Sequence, residues 1–230
     1  MTALVLLPGM DGTGDLFAPL LSALPPALRT IVVRYPCDRP LGYAELEAHA
    51  RRALPKDQPF VLLGESFSGP IAAAIAAAPP PGLRGLILCA TFLRNPRPEL
   101  GYARFLTGLL PVSLLPGVLL VRMLLGPRAD PGLRTQLLDA VSRVEDRVMR
   151  ARLRAVIDVD AGPRMSGVTL PVLYLSARDD RVVPRRAGDH VMALIPQARR
   201  VEIAAPHCLL QTAPQEAARA IMDFIGPTAP

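Results

Sequence analysis

The chain has 230 residues, a formal net charge of +6 and half its residues hydrophobic, with only 4% aromatic and no Trp. That length suits one domain, residues 1–230, with an ample core, and so few aromatic side chains argue against a surface that stacks nucleic-acid bases. Cys37, Cys89 and Cys208 are an odd number, at spacings that fit neither a disulfide framework nor a metal motif, so no metal or cofactor is expected.

Residues 3–7 are a short apolar run that stops at Pro8. Without a basic segment ahead of it, the run reads as a buried strand rather than a secretion signal, and a cytoplasmic protein is expected. Pro8-Gly9-Met10-Asp11-Gly12-Thr13-Gly14 follows as a glycine-rich loop before a helix over residues 16–24. Its spacing is G-x-x-G-x-G rather than the G-x-G-x-x-G of a dinucleotide site, and no Lys follows the glycines as a phosphate loop requires. A second strand is expected over residues 30–34. The third, residues 59–63, runs directly into Gly64-Glu65-Ser66-Phe67-Ser68-Gly69 and an alanine-rich helix over residues 71–78. A tight strand-to-helix turn lifts its serine out of the sheet, with the free N–H groups and positive dipole end of the helix behind it. The same pattern also describes an ordinary turn whose serine caps the helix.

A base and an acid decide between those two readings. The chain has three histidines. His49 lies in a polar, helix-like stretch and His190 on an expected helix surface. His207 follows a strand over residues 200–204 and precedes a helix start at Thr212-Ala213-Pro214, where a loop presents it as a general base would be presented. After a strand over residues 172–176, Asp179 and Asp180 both lie in the strand-end loop, and either carboxylate is placed to hold an imidazole in one tautomer. The order Ser66, Asp, His207, with all three at strand ends, favours the nucleophile. Acyl transfer also needs two N–H donors aimed at the developing oxyanion, and the backbones of Met10 and Phe67 are the candidates.

A fourth strand is expected over residues 85–90. The stretch 92–168 is too long for a simple crossover. Residues 105–125 are apolar enough to raise the possibility of a membrane span, but Pro111, Pro116-Gly117 and Arg122 argue against one continuous helix. Two short helices over the site are expected instead, followed by an amphipathic stretch over residues 132–160 in which Leu133, Leu137, Ala140, Val141, Val144 and Val148 recur at helical spacing. The insertion is basic: residues 94–164 hold twelve arginines against seven acidic residues. Such a face could draw an anionic partner or a lipid surface, but solvated helix surfaces with local acidic partners, Glu145 and Asp146 among them, account for it more simply.

Taken together these residues resemble the α/β-hydrolase family along essentially the whole chain. Pro8–Gly14 looks like the family's oxyanion loop, Gly64-Glu65-Ser66-Phe67-Ser68 like its nucleophile elbow, Asp180-Arg181-Val182-Val183-Pro184 like its acid segment and Pro206-His207 like its histidine loop. The resemblance implies a doubly covered, mostly parallel sheet of six strands lacking the family's first two, with a helical cap inserted at residues 93–167. It also implies a triad of Ser66, Asp180 and His207, with Asp179 left as a turn neighbour. Two departures stand out: Leu7-Pro8 replaces the common His-Gly, and Ser68 stands where the elbow usually has glycine. The expected activity is hydrolysis of a small-molecule carboxylic ester or thioester with an apolar acyl or alcohol part. Acyl transfer to an alcohol acceptor, and ligand binding with slow turnover, are the alternatives; the oligomeric state is open.

Overall fold

The computed structural model describes residues 2–99, 116–127 and 129–226. Its strands are β1 (Ala3–Leu7), β2 (Thr30–Val32), β3 (Phe60–Glu65), β4 (Leu83–Cys89), β5 (Val172–Ala177) and β6 (Arg199–Ile203). Between and after them run α1 (Ala18–Ala23), α2 (Tyr43–Ala53), α3 (Gly69–Ala77), α4 (Gly117–Leu124), α5 (Pro131–Ser142), α6 (Asp146–Asp158), α7 (Arg185–Leu194), α8 (Leu209–Thr212) and α9 (Pro214–Ile225). The strands form one sheet in the order β2-β1-β3-β4-β5-β6, every neighbouring pair parallel.

The apolar runs explain this architecture. A strand of a parallel sheet is covered on both faces and so needs hydrophobic side chains at successive positions rather than alternate ones. Ala3, Val5 and Leu7 of β1 pack with Phe60 and Leu62 of β3 against α2 and α3. Leu4, Leu6, Val61 and Leu63 point the other way, toward α1 and α9. Each fully buried leucine contributes about 1.5–3 kcal/mol. The expected six strands agree with those observed to within two residues at each end, the largest differences lying where neighbouring ladders dictate. β3 continues to Glu65 because β4 still pairs with it there, with Glu65 opposite Cys89. β2 closes at Val32, its last residue paired with β1.

Chain direction puts all six strand C-termini on one edge. From β1 the chain goes outward to β2, then returns across β1 to β3, so the connections leaving β1 and β3 run opposite ways. Between them opens the crevice that such a reversal leaves at the C-terminal edge of a parallel sheet. The glycine-rich loop and the Ser66 turn flank that crevice.

The expected amphipathic helix over residues 132–160 is two helices, α5 and α6, separated by Arg143, Val144 and Glu145. Val144 is buried between them. The first part of the region considered as a membrane span, residues 105–115, lies outside the described residues; its remainder is the eight-residue α4. No helix among the described residues is long and apolar enough to cross a membrane.

Helix α3 follows β3 after only the three-residue turn Ser66–Ser68 and lies close to the sheet. A Cβ on Gly64 would come within 2.7 Å of both the Ala72 Cβ and the Ser68 carbonyl oxygen. Gly64→Ala is therefore expected to destabilise the protein by about 1–3 kcal/mol through overpacking that backbone cannot relieve, read as a lower midpoint of denaturant unfolding.

Candidate functional site

Ser66 follows β3 with a φ of 48°, and Ala90, just past the end of β4, has 45°. For a residue with a Cβ this left-handed conformation is sparsely populated and persists only where the surroundings enforce it. Here they do. The hydroxyl of Thr91 donates to the Ser66 carbonyl oxygen, and the Tyr174 hydroxyl donates to the Thr91 carbonyl at 2.8 Å. The turn thus projects a half-buried Ser66 side chain beyond the sheet edge.

The departure at Ser68 has a structural reason. Its side chain is fully buried, and its hydroxyl donates to the carbonyl oxygen of Pro8. With that proton committed, the 2.8 Å contact to Tyr35 Oη has Tyr35 as the donor. Ser68 therefore ties the turn to the glycine-rich loop. The tight glycine contact is made one residue later, because a Cβ on Gly69 would overlap the Thr91 side chain.

Asp180 and His207 arrive from adjacent strands. The β5–β6 pairing is prolonged past the strand ends by hydrogen bonds from Arg178 N to Ile203 O, at 2.9 Å, and from Asp179 N to Ala205 O, at 3.0 Å. That extension carries both loops beyond the sheet side by side. His207 Nε2 lies 2.8 Å from Ser66 Oγ, and Nδ1 lies 2.8 Å from Asp180 Oδ2. The other oxygen of Asp180 accepts the Val182 and Val183 N–H groups, each at 2.8 Å. His207 and Asp180 are nearly withdrawn from solvent, with side chains 4% and 7% exposed. A carboxylate so bonded can orient the ring, with the far nitrogen facing the Ser66 hydroxyl. Asp179 bonds through its backbone to Ala205, and His49 and His190 lie on α2 and α7, away from this cluster.

The glycine-rich loop is held from several sides. Within it, the Asp11 carboxylate accepts the Thr13 N–H at 2.9 Å and the Thr13 hydroxyl at 2.5 Å. From α6, Arg152 donates to the Met10 carbonyl at 2.7 Å and to the Pro36 carbonyl at 2.9 Å, with its guanidinium 6.0 Å from the Tyr35 ring centre. Arg152 corrects the expectation of a solvated arginine face, since it is 1% exposed and burial lowers its basicity. Helical spacing alone does not separate it from its exposed neighbours. Among the described residues, none of the backbone hydrogen bonds outside the helices and strands uses the Met10 N–H group.

A residue missed from the sequence sits behind Ser66. Glu65 ends β3 with 6% exposure and accepts a 2.9 Å hydrogen bond from Gln211 Nε2 of α8. Burial, reinforced by Asp11, pushes its carboxyl up from 4.5 to about 7, against the opposing pull of Gln211, His207 and the Gly9 N–H. The signal was present in the apolar run, where an acid extends a strand buried at every position; its partners are distant in sequence.

The insertion touches the site at its ends. Val121 of α4, Leu125 just past its end and Leu137 of α5 pack with Leu16 and Cys208, and Cys208 N donates to Leu124 O at 2.9 Å. Val148 and Met149 of α6 pack with Met10.

A family model described as the alpha/beta hydrolase family matches residues 4–220. No curated protein matches the chain. Among solved structures, an enol-lactonase from Burkholderia xenovorans LB400 superposes with a TM-score of 0.83 at 19% identity, covering 97% of this chain and 91% of the other. An esterase from Exiguobacterium antarcticum gives 0.83 at 15%, covering 98% and 92%. A bromoperoxidase from Bacillus anthracis gives 0.78 at 17%, covering 97% and 91%. At these identities the likeness is one of fold.

The raised Glu65 carboxyl has a consequence for stability. Between about pH 4.5 and about pH 7 the folded chain holds the Glu65 proton more tightly than the unfolded chain, so this group's stabilising contribution is present at low pH and lost as pH rises. Glu65→Gln removes that dependence. Its stability relative to wild type is expected to rise across this interval by roughly 3 kcal/mol at most, measured by denaturant unfolding at several pH values.

Proposed function

The chain belongs to the alpha/beta hydrolase family, and from that premise we propose that it is a serine hydrolase that cleaves a carboxylic ester or thioester with an apolar acyl or alcohol part. The observation that carries this reading is the unbroken chain of hydrogen bonds from Ser66 Oγ through both nitrogens of His207 to Asp180. The esterase and the enol-lactonase among the similar structures are in keeping with it.

In the proposed reaction Ser66 Oγ attacks the substrate carbonyl carbon while His207 Nε2 takes the hydroxyl proton. Asp180 holds the ring and stabilises the imidazolium that forms. The carbonyl oxygen becomes an oxyanion, met by the N–H groups of Met10 and Phe67. Collapse of the tetrahedral intermediate breaks the bond to the alcohol or thiol, which receives the proton from His207 and leaves an acyl-serine. Water, deprotonated by His207, then attacks the acyl carbon, and the acid and free Ser66 are released. Fixing the glycine-rich loop through Ser68 and Arg152 supports this step, since a donor aimed in advance needs no reorganisation as charge develops.

Residues 93–167 act in this proposal as a helical cap within a single domain, residues 1–230. The apolar contacts of α4 and α5 with Leu16 and Cys208 support an apolar substrate part beneath them.

Ser66→Ala is expected to abolish hydrolysis of p-nitrophenyl acyl esters while the circular dichroism spectrum stays that of wild type; retained activity would sink the assignment. His207→Ala should lose at least as much rate as a general base contributes, on the order of 10²–10⁴-fold. In the wild type, activity should fall on acidification, because a protonated imidazole cannot accept the serine proton.

A further inference from the structure

Glu65 touches three of the four segments that the proposed reaction uses, all but the Asp180 loop. It immediately precedes Ser66. Its Oε1 accepts from Gln211, one turn beyond His207 on α8. Its Oε2 faces Gly9, where a Cβ would lie 3.9 Å away, and the Gly9 N–H favours the charged carboxylate. Gly9 in turn immediately precedes Met10.

Resting on the reading of Ser66 as nucleophile, we propose that Glu65 is a positioning residue: its buried carboxylate holds the Gly9–Met10 loop and helix α8 in register around Ser66 and His207, and does so in its ionised form.

A buried carboxylate that merely filled space would be replaceable by an amide of the same shape. The environment of Glu65 depends on its charge. Gln211 Oε1 is buried and has no hydrogen-bond partner among the described residues. With Glu65 ionised, Gln211 donates through Nε2 and that acceptor stays unpaired. With Glu65 protonated, the acceptor gains a donor once the amide turns over. The two protonation states therefore favour opposite orientations of a side chain on the helix that follows His207. The charged and titratable neighbours have opposing effects. Asp11, from the loop after β1, opposes ionisation of Glu65, whereas His207 favours it. The Cys89 and Cys208 thiols, pushed well above their ordinary range by burial, stay neutral beside it. When the Ser66 proton reaches His207, an ionised Glu65 adds to Asp180 in favouring the imidazolium. Because Glu65 takes up a proton near pH 7, acidification removes that support.

The test is the pH dependence of kcat and KM for p-nitrophenyl butyrate between about pH 5 and about pH 9. In the wild type the acid limb of log kcat should fall more steeply than one ionisation allows. In Glu65→Gln it should follow one ionisation, with kcat at the alkaline plateau lower on the order of tenfold, as for a lost unit charge several ångströms away, and KM nearly unchanged. Gln211→Met keeps the carboxyl but removes a donor to it, so its acid limb should move to higher pH. A Glu65→Gln profile that matches wild type in slope and rate overturns the proposal. If circular dichroism shows that variant unfolded, an unmoved limb in Gln211→Met overturns it instead. Labelling with a fluorophosphonate probe separates the two levels. A wild type that labels, with a Ser66→Ala variant that does not, leaves the nucleophile standing whatever Glu65 does; no labelling of the wild type removes both.

Discussion

Six parallel strands end on one edge of the sheet, and every polar group of the site depends on that. An antiparallel sheet would divide the loops after β1, β3, β5 and β6 between two edges. Parallel order brings the glycine-rich loop, Ser66, Asp180 and His207 together although they span most of the sequence. The reversal of direction between β1 and β3 then leaves room between two of those loops.

The turn at Ser66 converts this placement into geometry. A positive φ at a residue with a Cβ is unfavourable by itself, on the order of 1–3 kcal/mol. It is sustained because Gly64 lets α3 close on the sheet, because Thr91 holds the Ser66 carbonyl, and because Ser68 is anchored to Pro8. The same contacts tie the turn to the loop carrying Met10. Strain at Ser66 and the anchoring of the facing loop are thus two results of one hydrogen-bonded unit, which suits the oxyanion site proposed for Met10 and Phe67.

Around that unit the protein buries charge. Arg152 enters from α6 and is met by backbone carbonyls rather than a carboxylate. Glu65 lies behind Ser66 and is met by an amide. Neither arrangement is the most stable use of buried space, since isolated charges are disfavoured in a protein interior. Both hold segments that packing alone would leave free to shift, and stability given up at a site in exchange for fixed geometry is a common trade.

How much of this was legible beforehand follows from which interactions are local. Six apolar runs separated by helical pattern specify a doubly covered parallel sheet, because the burial that makes a strand is written into its own side chains. Glycines beside Ser66, and acid and histidine at later strand ends, could be read the same way, since a strand-end loop is recognised from its neighbours in sequence. Arg152 could not be singled out among the arginines of α6: its burial depends on which helical face meets the Met10 loop, 142 residues away. Nor did Glu65 declare a role, because its meaning lies in Gln211, 146 residues distant. By itself the sequence determined the sheet, its order of elements and the residues brought to its edge. Tertiary structure alone decided which charges are buried there and which groups hold the site rigid, because desolvation and hydrogen bonding depend on neighbours that only folding supplies.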